Sequence, residues 1–202
     1  ERIQPGPLSF DLFATIQRFQ SNKSAQFKLY EWGNNGAKIS SAMRCGAWEN
    51  ELPLLDLDII ILGLGLNDVH SSGSSWDANL IEEQYYQMVK RIQNTVPQTA
   101  LVLLSNTDSM RKGMSMTKQS HKLRSIQQKI ARQLGCATFD LGQAMGPAEC
   151  IQFWNEQGLA QSDLIHFTPE GYDVLAELLF SSWIGTYNAQ KTSFPVSSSH
   201  QQ

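Results

Sequence analysis

The chain has 202 residues, 41% hydrophobic and 17% charged, which is enough to bury a core and too poor in charge for a disordered acidic tail or a coiled coil. Sixteen Lys and Arg against nineteen Asp and Glu give a formal net charge of −3, so no global basic field attracts a phosphate backbone and no nucleic acid partner is expected. The longest apolar run, Leu57 to Leu66, is broken by Asp58, Gly63 and Gly65 and falls short of the roughly 20 residues that cross a bilayer, so no membrane span is expected.

In chain order, residues 1–6 carry no apolar signal core and no small-residue cleavage site, so localisation is not legible from this end. Gln26 to Trp32 reads as a weak strand, and Gly33-Asn34-Asn35-Gly36 after it as a loop. Leu57 to Leu62 is a continuous β-branched run ending in glycine, the pattern of a strand covered on both faces of a parallel sheet. Asp77 is a good N-cap for a helix reaching about Asn94, because Ile81, Tyr85, Met88, Val89 and Ile92 fall on one face, and Pro97 stops it.

Ala100 to Leu104 predicts a second buried strand. Leu123, Ile126, Ile130 and Leu134 predict a second amphipathic helix, with Gly135 as its left-handed cap. Cys136 to Leu141 reads as a weak strand. Thr168-Pro169-Glu170-Gly171 then supplies a hydroxyl cap, a first-turn proline and an acid, with Leu175, Leu179 and Trp183 as a buried stripe. Residues 1–188 are expected to form one domain and residues 189–202, polar and serine-rich from Lys191, a disordered tail. The alternation implies an α/β fold, a doubly wound three-layer α/β/α sandwich with a mainly parallel sheet and ligands outside the carboxyl ends of the strands. Function is therefore sought in the loops after Trp32, Leu62 and Leu104.

Gly63-Leu64-Gly65-Leu66-Asn67-Asp68 follows the strongest strand, but Asp68 stands where a dinucleotide loop wants its third glycine. Two readings fit: Gly65 turns the chain so that the Asn67 amide projects as a fixed oxyanion donor, or Asn67 and Asp68 make an ordinary strand-end turn. Asp163-Leu164-Ile165-His166 allows a carboxylate to hold an imidazole by Nδ1–H and leave Nε2 as a general base; a plain loop ion pair fits the same spacing. At Gly36 the backbone N–H can approach a ligand closely, or the segment is simply a loop.

Together these segments resemble the SGNH (GDSL-type) hydrolase family, in order as well as content. Its second-block glycine matches Gly36, its Gly-x-Asn-Asp block matches Gly65 to Asp68, and its Asp-x-x-His block matches Asp163 and His166. Phe139 to Gly146, and Trp154 to Asp163 with its Gln157-Gly158-Leu159-Ala160-Gln161 run, are similar to the peptidoglycan O-acetylesterase branch, out to about Tyr187. The resemblance implies a flavodoxin-like topology, no cofactor, an extracytoplasmic location and an acetylated glycan substrate. It also implies Gly36 N–H and the Asn67 amide as oxyanion donors, Gly65 and Asp68 as their supporting loop, His166 as base and Asp163 as its orienter.

One block departs. The Gly-Asp-Ser strand has no counterpart; Ile3-Gln4-Pro5-Gly6 resembles the segment that follows it, which puts Glu1 and Arg2 at the Ser-His positions. A carboxylate attacking an ester would give an anhydride and gain little. The nucleophile is therefore unknown within the chain, expected upstream of or at Glu1, and the missing central strand is expected from an upstream segment or a second chain. Ser115-Met116-Thr117-Lys118 matches S-x-x-K without its companion motifs, and Ser40 and Ser41 are expected to cap the helix after Gly36. The four histidines, His70, His121, His166 and His200, lack metal-ligand spacing, so no metal is expected. Cys45, Cys136 and Cys150 fit one bridge with a free thiol, or three free thiols. The expected function is a carbohydrate O-acetylesterase; the alternatives are a glycan O-acetyltransferase, which would use the same residues, and a non-catalytic glycan-binding module, which Glu1 at the serine position favours.

Overall fold

In the computed structural model, which describes residues 14–20, 26–71 and 76–193, the chain begins with β1 (Ala14–Gln20), β2 (Gln26–Trp32), α1 (Ile39–Met43), α2 (Trp48–Glu51) and a 3-10 turn (Leu52–Leu55). It continues through β3 (Ile59–Leu62), α3 (Leu66–Val69), α4 (Ala78–Thr95), β4 (Ala100–Leu104), β5 (Met110–Arg111) and β6 (Met114–Ser115). The last elements are α5 (Thr117–Leu134), β7 (Ala137–Phe139), α6 (Leu141–Met145), α7 (Cys150–Glu156) and α8 (Pro169–Ser193).

Strands β3, β4 and β7 form a parallel sheet in that order, Ile59 to Leu62 facing Ala100 to Leu103, and Val102 to Leu104 facing Ala137 to Phe139. The central strand buries both faces. Leu101 and Leu103 pack with Tyr85, Met88 and Val89 of α4 and with Leu123, Ile126 and Ile130 of α5. Leu104 turns to the opposite side, against the cluster of α6, α7 and α8 that includes Ile151, Trp154 and Leu175. Helices on both faces of a parallel sheet make the α/β/α sandwich. Each fully buried Leu or Ile there contributes roughly 1.5–3 kcal/mol relative to exposure.

The long helices form as their patterns predict. Asp77 caps α4 by accepting from the Asn79 and Leu80 N–H groups, and the five apolar positions from Ile81 to Ile92 are its buried residues. Gly135 ends α5 at φ +69°. Between the two helices the wholly buried Tyr85 hydroxyl accepts from Gln127 Nε2 at 3.0 Å, and Gln127 also donates to the Leu104 carbonyl at 3.1 Å, tying both helices to the sheet. Burial pushes the Tyr85 pKa up, so the phenol stays neutral. At the start of α8 Thr168 Oγ1 accepts from Gly171 N–H at 3.2 Å. A Cβ on Gly171 would stand 1.9 Å from the Leu159 carbonyl oxygen, so glycine alone lets the helix seat on that loop.

Four expectations are corrected. β2 is a strand, but it pairs antiparallel with β1, Ala14 opposite Trp32 and Gln20 opposite Gln26, and among the described residues neither strand joins the parallel sheet. A run of β-forming residues must pair its backbone groups, and the segment adjacent in sequence provides that ladder. β3 is not covered on both faces: Ile59 and Ile61 are each 43% exposed, because β4 pairs with one edge and alternate side chains point away from the α4 and α5 core. In the stripe of α8, Leu175 is buried but Trp183 is 40% exposed. The helix runs through Ser193, so residues 189–193 are helical where a tail is expected; residues 194–202 lie outside the described residues.

Between β2 and the edge of β3 that pairs with no strand among the described residues lies a groove of about 880 Å³, lined among others by Leu29, Trp32, Ile59, Ile61, Asn67 and Trp183.

Candidate active site

After β3 the chain turns at Gly65 into α3. Gly65 has φ +128°, a conformation that favours glycine, and a Cβ there would stand 2.3 Å from Cδ2 of the buried Leu123, whose side chain would have to shift. From α3 the Asp68 carboxylate points inward, 6% exposed, and accepts from the Ile39 N–H at 3.1 Å. Burial raises its pKa, opposed by the Ile39 N–H and the Lys38 charge. Lys38 Nζ also donates to Ser71 Oγ at 2.7 Å. The turn after β3 is thus fastened to the loop after β2.

Asn67 completes that fastening. Its Nδ2 donates one hydrogen to the Ala37 carbonyl at 2.9 Å and retains a second. Gly36, the residue before Ala37, is exposed and has φ +75°, in a turn closed by Ala37 N–H donating to Asn34 O at 3.0 Å. The structure therefore brings the Gly36 loop and the Asn67 amide together. Both lie at the carboxyl ends of strands, one after β2 and one after β3.

The second loop precedes α8. Asp163 Oδ2 is 2.6 Å from His166 Nδ1, and its Oδ1 accepts from the Ile165 and His166 N–H groups at 3.0 Å each. Burial alone raises the Asp163 pKa, but the His166 ring and these two N–H groups outweigh it and bring it to about 2. The carboxylate stays ionised and fixes the tautomer, with the proton on Nδ1 and Nε2 free to accept. The two side chains are 53% and 42% exposed, so the ring faces solvent. Leu164, between them, is held at φ +57° by its N–H to Gln161 O at 3.0 Å and by Met110 N–H donating to its carbonyl at 2.9 Å.

The candidate serines Ser115 and Ser41 have partners other than His166, although Ser41 lines the groove together with Asn67. Ser115 is engaged with Thr117 Oγ1 at 2.7 Å at the start of α5, and Ser41 Oγ accepts from the Lys38 N–H at 3.3 Å in the first turn of α1, the capping role expected of it. Among the described residues no hydroxyl is hydrogen-bonded to His166 Nε2. Glu1 lies outside the described residues. The cysteines are three free thiols, and burial, then the nearby Asp108 charge, push Cys150 up to about 11, which leaves it a poor nucleophile at neutral pH.

Sequence reasoning weighs His70 only as a metal ligand and does not single out Ser109. His70 closes α3, three positions after Asn67, and its Nε2 lies 2.9 Å from the Oγ of Ser109, a residue 1% exposed in the loop after β4. The loop after Leu104 was marked by topology, but a contact across 39 residues leaves no local pattern.

A family profile described as GDSL-like lipase/acylhydrolase matches residues 15–174. No curated protein matches the chain. Among solved structures, a peptidoglycan O-acetylesterase is similar at TM-score 0.70 and 23% identity over 77% of this chain and 45% of that one. The chain thus spans less than half the length of that esterase. An acetyl xylan esterase, AlAXEase, is similar at TM-score 0.59 and 20% identity, covering 74% of this chain and 78% of that one. A catalytic mutant of the acetylxylan esterase Axe2 from Geobacillus stearothermophilus is similar at TM-score 0.61 and 16% identity, covering 76% and 71%. At these identities the likeness concerns the fold.

Proposed function

This chain belongs to the GDSL-like lipase/acylhydrolase family, and from that premise we propose that it is part of a carbohydrate O-acetylesterase working outside the cytoplasm, with His166 as general base and Asp163 as its orienter. The observation that carries this reading is the 2.6 Å Asp163 to His166 contact, with Nε2 left facing solvent. Acetylated glycans are the proposed substrate because three proteins of similar fold carry peptidoglycan O-acetylesterase or acetyl xylan esterase in their names. No described helix is long and apolar enough to cross a membrane.

The serine in this reading comes from outside the 202 residues, on a strand seated in the groove between β2 and β3. Supporting it, the groove is lined by β3 from Ile59 to Leu62 and by Asn67, the oxyanion donor of this reading. Serine Oγ attacks the acetyl carbonyl carbon while His166 Nε2 takes its proton; the negative oxygen is met by Gly36 N–H and the free hydrogen of the Asn67 amide. Collapse breaks the bond to the sugar oxygen, which receives the proton from His166. Water, deprotonated by His166, then attacks the acetyl-serine and releases acetate and the serine hydroxyl. Acetate release from O-acetylated glycan is the test: the chain extended by a Gly-Asp-Ser strand is expected to be active and its His166→Ala form inactive, whereas glycan binding without release by the extended protein would leave a binding module.

A further inference from the structure

His70 has no part in the chemistry above, yet it stands between the two loops that do. It ends α3, the helix that presents Asn67, and its Nε2 makes the 2.9 Å contact with Ser109 Oγ. Ser109 is fixed from both sides: its carbonyl accepts from Met116 N–H at 3.1 Å, and the next residue, Met110, donates its N–H to the Leu164 carbonyl at 2.9 Å. Leu164 is the left-handed residue inside the Asp163 to His166 turn. A continuous path of bonds therefore runs from the Asn67 helix through His70, Ser109 and Met110 into the backbone that aims the imidazole.

We propose that His70 is a positioning residue that couples the Asn67 turn to the Asp163–His166 loop through the Ser109 hydroxyl. The purpose assigned to this coupling, holding oxyanion donor and base in register, rests on the function proposed above; the coupling itself does not. Two features make histidine the fitting side chain. Ser109 is 1% exposed, so without a partner its hydroxyl would be buried and unsatisfied. Burial, then the Arg111 charge, lower the His70 pKa against the opposite pull of Asp163, which disfavours a charged ring at this bridge between the loops. The left-handed conformation at Leu164 is unfavourable for a residue with a Cβ, so the bonds at its N–H and carbonyl are what keep the turn in place.

The test is amide hydrogen exchange by NMR on the 202-residue chain, a readout that requires no esterase activity and so fails or succeeds independently of the proposed function. His70→Ala and Ser109→Ala are each expected to speed exchange at Met110, Ile165 and His166 by about tenfold or more while the β4 amides Leu101 to Leu104 keep their rates. The double variant should be no faster than either single one, because both remove the same bond. His70→Gln, which can place an amide near Nε2, should recover most of the protection. Unchanged exchange at the three amides, additive singles, or an equal acceleration in β4 would each overturn the proposal. If His70→Ala fails to fold, Ser109→Ala and His70→Gln carry the same comparison.

Discussion

The two loops that carry the candidate site residues are held in different ways. The Asn67 turn is anchored from beneath: Gly65 is pressed against Leu123, Asp68 is buried on the Ile39 N–H, and Asn67 itself grips the Ala37 carbonyl. The Asp163–His166 loop is stiffened from within, one carboxylate bonding the imidazole and two backbone N–H groups while both side chains remain well exposed. The difference teaches that damage to the first should register in folding and damage to the second in chemistry. Under the proposed function the Asn67 turn would need buried struts, because oxyanion donors must not move as charge develops, and His166 would need access to solvent and substrate, so its order would come from its own turn.

The largest expected effect is in the exposed loop. In a protein that carries the nucleophilic serine, His166→Ala should lower kcat/KM by about 10⁴-fold with the thermal midpoint unchanged, since an exposed ring contributes little to packing. A large loss of stability instead would break the contrast. Next in size, Gly65→Ala should destabilise by about 2–4 kcal/mol in denaturant unfolding, because the added methyl meets Leu123 and the backbone is at φ +128°. Asp68→Ala should cost about 1–3 kcal/mol by orphaning the Ile39 N–H, and Asp68→Asn less, because the amide oxygen still accepts.

How much of this was written in the sequence differs between the same regions. The long helices were legible because local signals decide them: Asp77 as cap, Gly135 as stop, Thr168-Pro169 as start, and apolar residues at helical spacing. The Asp163 and His166 pair was legible because a three-residue spacing can close on itself. What β2 pairs with was not legible, since a strand pattern states what a segment is and not which backbone it meets. The apolar run of β3 promised burial on both faces, yet the side facing the groove leaves Ile59 and Ile61 exposed. The contact between His70 and Ser109 was invisible for the same reason, two polar residues brought together only by the packing of the loops.

The smallest expected effect sharpens the contrast through pH. Asp163 has a folded pKa of about 2, below its ordinary value of 3.8, so its contribution to stability is complete above about pH 4 and is lost as pH falls toward 2. Solvent exposure keeps that contribution small. Acid unfolding of the wild type and of Asp163→Asn should therefore differ only slightly in slope over that window. Asp68, with its pKa raised by burial, works in the opposite sense: protonation is favoured in the folded state, so its ionisation weakens folding as pH rises through the unfolded value.

The central claim is that the imidazole of His166 serves a serine brought by a strand from outside these 202 residues. The most direct measurement is acetate release from O-acetylated peptidoglycan by this chain alone, by the same chain extended with a Gly-Asp-Ser strand, and by the extended chain carrying His166→Ala. Release by the extended chain alone is the result predicted; an extended, folded protein that releases no acetate, or one that releases it equally well without His166, would contradict the account.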